Sequence, residues 1–186
     1  MFVYKSGNAQ TDTITDKDGN IYTVKIMSDR NHWITNNLNL NIEESYCYQN
    51  NPAYCKEYGR LYTFQSAQKA CNLLGEGWRL PTNQEWEQMA DQYGGIREKS
   101  TDSGRKVFKE LLVGGNAGFN AMLGGNRELD GKGYARLKGH GLYWTATENG
   151  NNVWFYNFGS GLKMLTRHED GEKSRGFSVR CIRTVK

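Results

Sequence analysis

The sequence predicts an α+β domain, with helices packed on antiparallel strands, and three observations carry that prediction. Two stretches, TFQSAQKACNLLG (63–75) and LPTNQEWEQMADQYGG (80–95), place apolar residues at helical spacing between capping signals. From Leu142 onward the pattern changes to short strand-like runs separated by turn signals. Four cysteines form an even set without C-x-x-C spacing, which favours cross-links over a metal site. A chain of 186 residues fits one domain spanning 1–186, with 1–15 as a flexible or loosely packed lead-in. Aromatic residues reach 12% while hydrophobic residues total only 37%, so the core is built from rings more than from aliphatic runs.

The first element follows from TDKDGNIYTVKIM, where an Asp-Gly turn precedes alternation over 21–27 and so predicts a strand. Asp16, Asp18 and Asn20 echo the start of an EF-hand loop, but Met27 stands where a bidentate glutamate is required. The first helix has a Ser or Thr near its start (Thr63 or Ser66), Ala67, Ala70, Cys71 and Leu74 on one face, and Gly75 as its stop. In the second, Thr82 and Glu85 form a capping box, Trp86, Met89 and Ala90 make the inner face, and Gly94 ends it. Between them GEGWRLP supplies Trp78 and Leu80 as a short buried link. SGRKVFKELLVGG predicts a third helix with Phe108, Leu111 and Leu112 inward. The glycine-dense stretch 114–141 has no sustained period and is expected to form long ordered loops. LYWTATE, NVWFYNF, LKMLTRHE and FSVRCIRTV then predict an antiparallel meander with Cys181 in its last strand.

Alternate residues of a strand point to opposite faces, which divides the rings of NVWFYNF. Val153 and Phe155 are expected to face the helices. Trp154 and Tyr156 are expected on the other, wet face beside Lys163, Leu165 and Arg167, and Phe158 stays unassigned at the strand end.

Spacing favours Cys47 with Cys55, closing a short loop, and Cys71 with Cys181, tying the middle of the chain to its end; four reduced, buried cysteines are the alternative. His32, His140 and His168 lie far from the cysteines in sequence, which argues against zinc. The net charge of +4 is scattered without a basic stripe, so nothing points to nucleic acid. No apolar run approaches the roughly 20 residues of a membrane span. The start MFVYKSGNAQTDT lacks the regions of a signal peptide, which suggests export by another route or a mature domain behind an added Met1.

DKDGNIYTVKI, HWITNNLN, YCYQNNPAYCKEYGRLYTF, ACNLLGEGWRLPTNQEW, GLYWTATE and GFSVRCIR occur in the order found in the Fibrobacter succinogenes major paralogous domain, which the chain resembles from about Asp16 to Arg183. The resemblance implies a C-type-lectin-like fold, with two main helices on a small twisted antiparallel sheet and long loops, related in fold to the formylglycine-generating enzymes. It implies a secreted or surface-attached bacterial module and supports the two cysteine pairs. The variable proteins of diversity-generating retroelements share that fold, and segment 144–180 is similar to their diversified region. By that likeness Trp154, Tyr156, Asn157, Lys163, Leu165, Arg167, His168 and Glu169 are expected to form a solvent-facing ligand patch.

Calcium-dependent sugar binding needs an E-P-N or Q-P-D loop and a W-N-D strand, and neither is present. Oxidase chemistry of the formylglycine-generating type needs a pair of reactive thiolates, whereas the C-terminal strands hold only Cys181. Glu85 and Glu87 flank Trp86 but do not converge, so they read as helix-cap and surface charge. The expectation is therefore a non-enzymatic, extracellular or cell-surface module that binds a protein or glycan without cofactor or metal. A formylglycine-generating-type oxidoreductase is the alternative, and a purely structural surface module comes third.

Overall fold

Capping and periodicity place the elements. The structure, a computed structural model, describes residues 12–131 and 133–184. In chain order it contains β1 (Asp12–Thr15), β2 (Ile21–Ile26), β3 (Asn31–Ile34), β4 (Ser45–Tyr46), α1 (Pro52–Tyr58), β5 (Leu61–Tyr62), α2 (Phe64–Asn72), β6 (Trp78–Arg79) and α3 (Asn83–Asp91). There follow α4 (Arg105–Leu111), β7 (Asn126–Arg127), β8 (Tyr134–Ala135), β9 (His140–Asn149), β10 (Asn152–Gly159), β11 (Met164–Glu172) and β12 (Ile182–Thr184). Among the described residues the architecture is α+β, with four α-helices and several small antiparallel sheets. The expected lead-in 1–15 lies mostly outside the described residues; its last four residues form β1, an edge strand paired with β2.

The caps act as the residues dictate. Thr82 accepts from the Glu85 backbone N–H while the Glu85 carboxylate accepts from that of Thr82, so the capping box is complete. Thr63 caps α2 and Asn51 caps α1, where Pro52 starts the helix. Helix α4 begins after Gly104, whose φ of 73° is left-handed. A Cβ there would lie 2.7 Å from the Leu165 carbonyl oxygen, so glycine lets α4 close on β11.

Strand pairing corrects the four-stranded meander. A three-stranded sheet runs β11-β10-β9, and a five-stranded sheet runs β1-β2-β3-β12-β6. The last run leaves its neighbours: Phe177 and Ser178 make single bridges to Tyr62 and Tyr143, and β12 then pairs with β3 and β6. The connection after β11 is long enough to carry the chain between sheets, a tertiary choice that no local turn signal encodes. Both expected disulfides form: Cys47–Cys55, with Cα atoms 4.9 Å apart, and Cys71–Cys181, at 5.4 Å, the second joining α2 to the approach to β12.

Two cores sit on either side of the three-stranded sheet. On one face Leu142, Trp144, Val153 and Phe155 pack with Ala67, Ala70 and Cys71 of α2. On the other, Tyr143, Tyr156, Phe158 and Leu165 pack with Trp86 and Met89 of α3 and Val107, Phe108 and Leu111 of α4. Fully burying one ring of about 150–250 Å² is worth at most roughly 4–6 kcal/mol, so these rings dominate the folding energy.

Arg180, 0% exposed, joins the two cores with no carboxylate partner among the described residues. Its Nε donates to Asn37 Oδ1 (2.9 Å), Nη1 to the Phe119 carbonyl (2.7 Å) and Nη2 to the Asn120 carbonyl (2.6 Å). The guanidinium also lies over the Phe119 ring, 4.6 Å from its centroid. Burial pulls its pKa down, while the cage of oxygens compensates the charge.

Candidate functional site

The expected patch divides because strand geometry separates neighbouring residues. On β10 and β11, Phe155 pairs with His168 and Asn157 with Thr166 on one face, whereas Tyr156 pairs with Arg167 and Phe158 with Leu165 on the other. The eight expected ligand residues therefore fall into four environments.

Trp154, Arg167 and Glu169 gather at a shallow depression of about 470 Å³, whose rim includes Glu98 and Asp170. Trp154 is half-buried, and the Arg167 guanidinium lies over its ring, 4.8 Å from the centroid. Arg167 Nη1 donates to Glu87 Oε1 (3.0 Å), and Lys99 Nζ reaches the same oxygen at 2.8 Å. This network holds the cation over the indole in a fixed pose. Trp33, Trp78, Trp86 and Trp144 are all buried, leaving Trp154 as the one tryptophan that meets solvent.

Tyr156 and Leu165, expected on the wet face, are instead core residues, each 0% exposed. The parity was right but the face is not wet, because α3 and α4 cover it. Tyr156 stacks on Trp86 with centroids 5.1 Å apart and planes 17° from parallel, and its hydroxyl donates to the Asn83 carbonyl (3.1 Å). Burial raises its phenol pKa far above the ordinary value. Phe158 is likewise buried under the sheet. Lys163 stands exposed in the β10–β11 turn at φ 53°, apart from the Trp154 depression.

Asn157 and His168 occupy the opposite face, where they help to line a half-open cavity of about 260 Å³. The His168 ring stacks on Phe155 at 5.0 Å, and His140 Nδ1 lies 2.9 Å from Asn157 Oδ1. Asn126, Arg136 and Arg175 complete this cavity from β7, the β8–β9 loop and the segment after β11. Glu128 bridges the two arginines; burial works against its charge, but Asn126, Arg136 and Arg175 together hold its carboxyl below the usual range.

Sequence reasoning missed Glu87, Lys99 and Asp170 beside the indole, and Asn126, Arg136 and His140 in the cavity. The opposite orientation of Arg167 and His168 was available from their adjacency in one strand. The cavity residues sit largely in the aperiodic 114–141 stretch and carried no local signal. Glu85 does act as a cap, with its carboxyl held below the usual range despite burial by Arg79 and Thr82. Among the described residues no cluster of three or more histidine, cysteine or acidic side chains is placed to hold a metal. No helix among them is long and apolar enough to cross a membrane.

A family model described as the Fibrobacter succinogenes major domain matches residues 7–183. Neither the comparison with curated proteins nor that with solved structures returned a match.

Proposed function

The chain belongs to the Fibrobacter succinogenes major domain family, and on that premise we propose that it is a non-enzymatic recognition module, receptor- or adhesin-like and displayed outside the cell. Its C-type-lectin-like arrangement presents a protein or glycan ligand with the depression around Trp154. The observation that carries this reading is the solvent-reaching indole clamped by Arg167 on the Glu87–Lys99 network. Trp and Arg are the residues in which binding energy concentrates, because a large rigid side chain and a fixed cation lose little entropy on contact. The two disulfides suit an oxidising compartment. With all four cysteines paired, no thiol is left for oxidase-type chemistry.

In this reading, retroelement-type diversification of segment 144–180 acts at its solvent-reaching positions, Trp154, Lys163, Arg167 and Glu169. A near-copy of the coding segment beside a reverse-transcriptase gene would support that part. The binding function is tested by probing the folded chain and its Trp154→Ala and Arg167→Ala variants against arrays of surface proteins and glycans. The expected result is a ligand retained by the parent chain and weakened roughly tenfold or more by either change, with urea midpoints lowered by only about 0.5 M, so that both variants stay folded in the assay. Ligands that bind both variants as they bind the parent would place recognition elsewhere.

A further inference from the structure

The cavity on the opposite face of the sheet carries a separate assignment. We propose that it binds a neutral sugar ring, such as the terminal hexose of a glycan, without a metal ion.

A buried donor first points to a ligand. Asn126 is 0% exposed; its Oδ1 accepts from Arg136 Nη1 at 2.9 Å, whereas its Nδ2 feels the Glu128 carboxylate but makes no hydrogen bond of proper distance and angle among the described residues. Buried amide nitrogens are seldom left unpaired, because desolvation without a replacement bond is costly. A ligand oxygen in the cavity would supply that bond.

Charge then narrows the ligand. The cavity holds Arg136 and Arg175, but Glu128 binds both and Glu172 takes the Arg175 Nε at 2.8 Å. Asp170 stands at the rim with no hydrogen-bond or ion-pair partner among the described residues. An anion would meet Asp170 and Glu172, and a cation would meet the two guanidinium groups. A neutral ligand avoids both penalties.

The unspent hydrogen-bonding groups are of both kinds. The amide nitrogens of Asn126 and Asn157 donate. The His140 ring, its Nδ1 2.9 Å from Asn157 Oδ1, adds a group that donates or accepts according to tautomer, and the Asp170 carboxylate accepts. A hydroxyl donates and accepts at once, so a ring of hydroxyls satisfies a mixed set that a plain anion or amine does not. Phe155 and Phe177, 8% and 2% exposed, add only a sliver of apolar surface, so the half-buried His168 ring, stacked on Phe155 at 5.0 Å, is the flat surface left for the C–H face of a pyranose. The volume of about 260 Å³ lies just below the roughly 300–1,000 Å³ of drug-sized pockets, which suits one ring and not a chain.

The cavity and the Trp154 depression share His168 and Asp170, so the test that separates them uses residues lining only one of the two. The folded, isotope-labelled chain is titrated by NMR with the methyl glycosides of glucose, galactose and mannose in the presence of a calcium chelator. Glucuronate and glucosamine serve as charged comparators. At least one neutral glycoside is expected to shift the Asn126 and Asn157 side-chain amides saturably, with a Kd of about 1 mM or tighter. Asn157→Ala, at a half-buried position that lines this cavity and not the depression, should weaken that binding by roughly fivefold, the value of one neutral hydrogen bond, while Trp154→Ala leaves it unchanged. The proposal is overturned if no neutral glycoside gives saturable shifts of these amides, if a charged sugar binds better, or if Trp154→Ala abolishes the binding.

Discussion

Removing the two disulfides one at a time should produce unequal losses, because they close loops of very different length. Cys47 and Cys55 are 8 residues apart, and Cys71 and Cys181 are 110 apart. In the chain-entropy account these separations correspond to about 2.5 and about 4.8 kcal/mol at 25 °C. Cys71 and Cys181 are also both 0% exposed, so deleting their sulfurs leaves voids that add to the loss, whereas Cys47 reaches solvent. The paired variants Cys47→Ala/Cys55→Ala and Cys71→Ala/Cys181→Ala are compared by urea unfolding under tryptophan fluorescence. With a slope of about 2 kcal/mol/M, the midpoints should fall by about 1.2 M and about 2.4 M or more. A typical domain has about 5–15 kcal/mol in total, so loss of the long bridge leaves it marginal. Mild reduction should open Cys47–Cys55 first, which peptide mapping under non-reducing conditions detects. Equal midpoint shifts, or a larger loss from the short bridge, would refute the assignment of the long bridge as the main staple.

Three further outcomes follow from packing and charge. Phe155→Ala and Tyr156→Ala should each cost about 3–5 kcal/mol as core deletions, whereas Trp154→Ala should cost about 1 kcal/mol, the value of its contact with Arg167; denaturant melts that rank Trp154 highest would mean the β10 register is wrong. Burial, aided at Tyr22 by the bond from its hydroxyl to Asp16, raises the phenol pKa values of Tyr22, Tyr62 and Tyr156, so the folded chain keeps protons that the unfolded chain loses. That stability is fully present below about pH 10 and declines above it, by up to about 1.4 kcal/mol per pH unit for each tyrosine, and Tyr156→Phe should flatten the decline in urea midpoints measured from pH 8 to 11. Arg180→Met strands the carbonyls of Phe119 and Asn120 and should cost about 3–5 kcal/mol, a fall in melting temperature of about 10 °C or more in thermal scans; an unchanged melt would show that the cage contributes nothing net.

What was legible in the sequence was local. The Thr82/Glu85 box, the inner face of α2 and the two cysteine pairs depend on neighbours a few residues away or on an even count, and each formed. Helix α1 was not predicted: Asn51 as cap, Pro52 at the first turn and Gly59 at the end mark it, but its Tyr- and Asn-rich run masks the helical period. Alternation placed Val153 and Phe155 in the core and Trp154 opposite them. It does not say what packs on the opposite face, and α3 with α4 there buried Tyr156 and Leu165. The crossing of the last run into the five-stranded sheet and the meeting of Asn126 with Asn157 join distant segments, and no periodicity records such meetings.

The covering of the β9–β11 sheet on both faces sets how freely this segment can be rewritten. In a sheet with one wet face, every second letter of each strand is available for change. Here the letters that tolerate novelty shrink to the edge strand, the hairpin tips and the rims of the two hollows, while their immediate neighbours are committed to one core or the other. Any process that altered the segment indiscriminately would spend most of its variants on unfolded chains. One confined to those sparse positions would sample new surfaces at almost no structural cost, so the arrangement separates a vocabulary for recognition from a grammar for folding within the same run of residues.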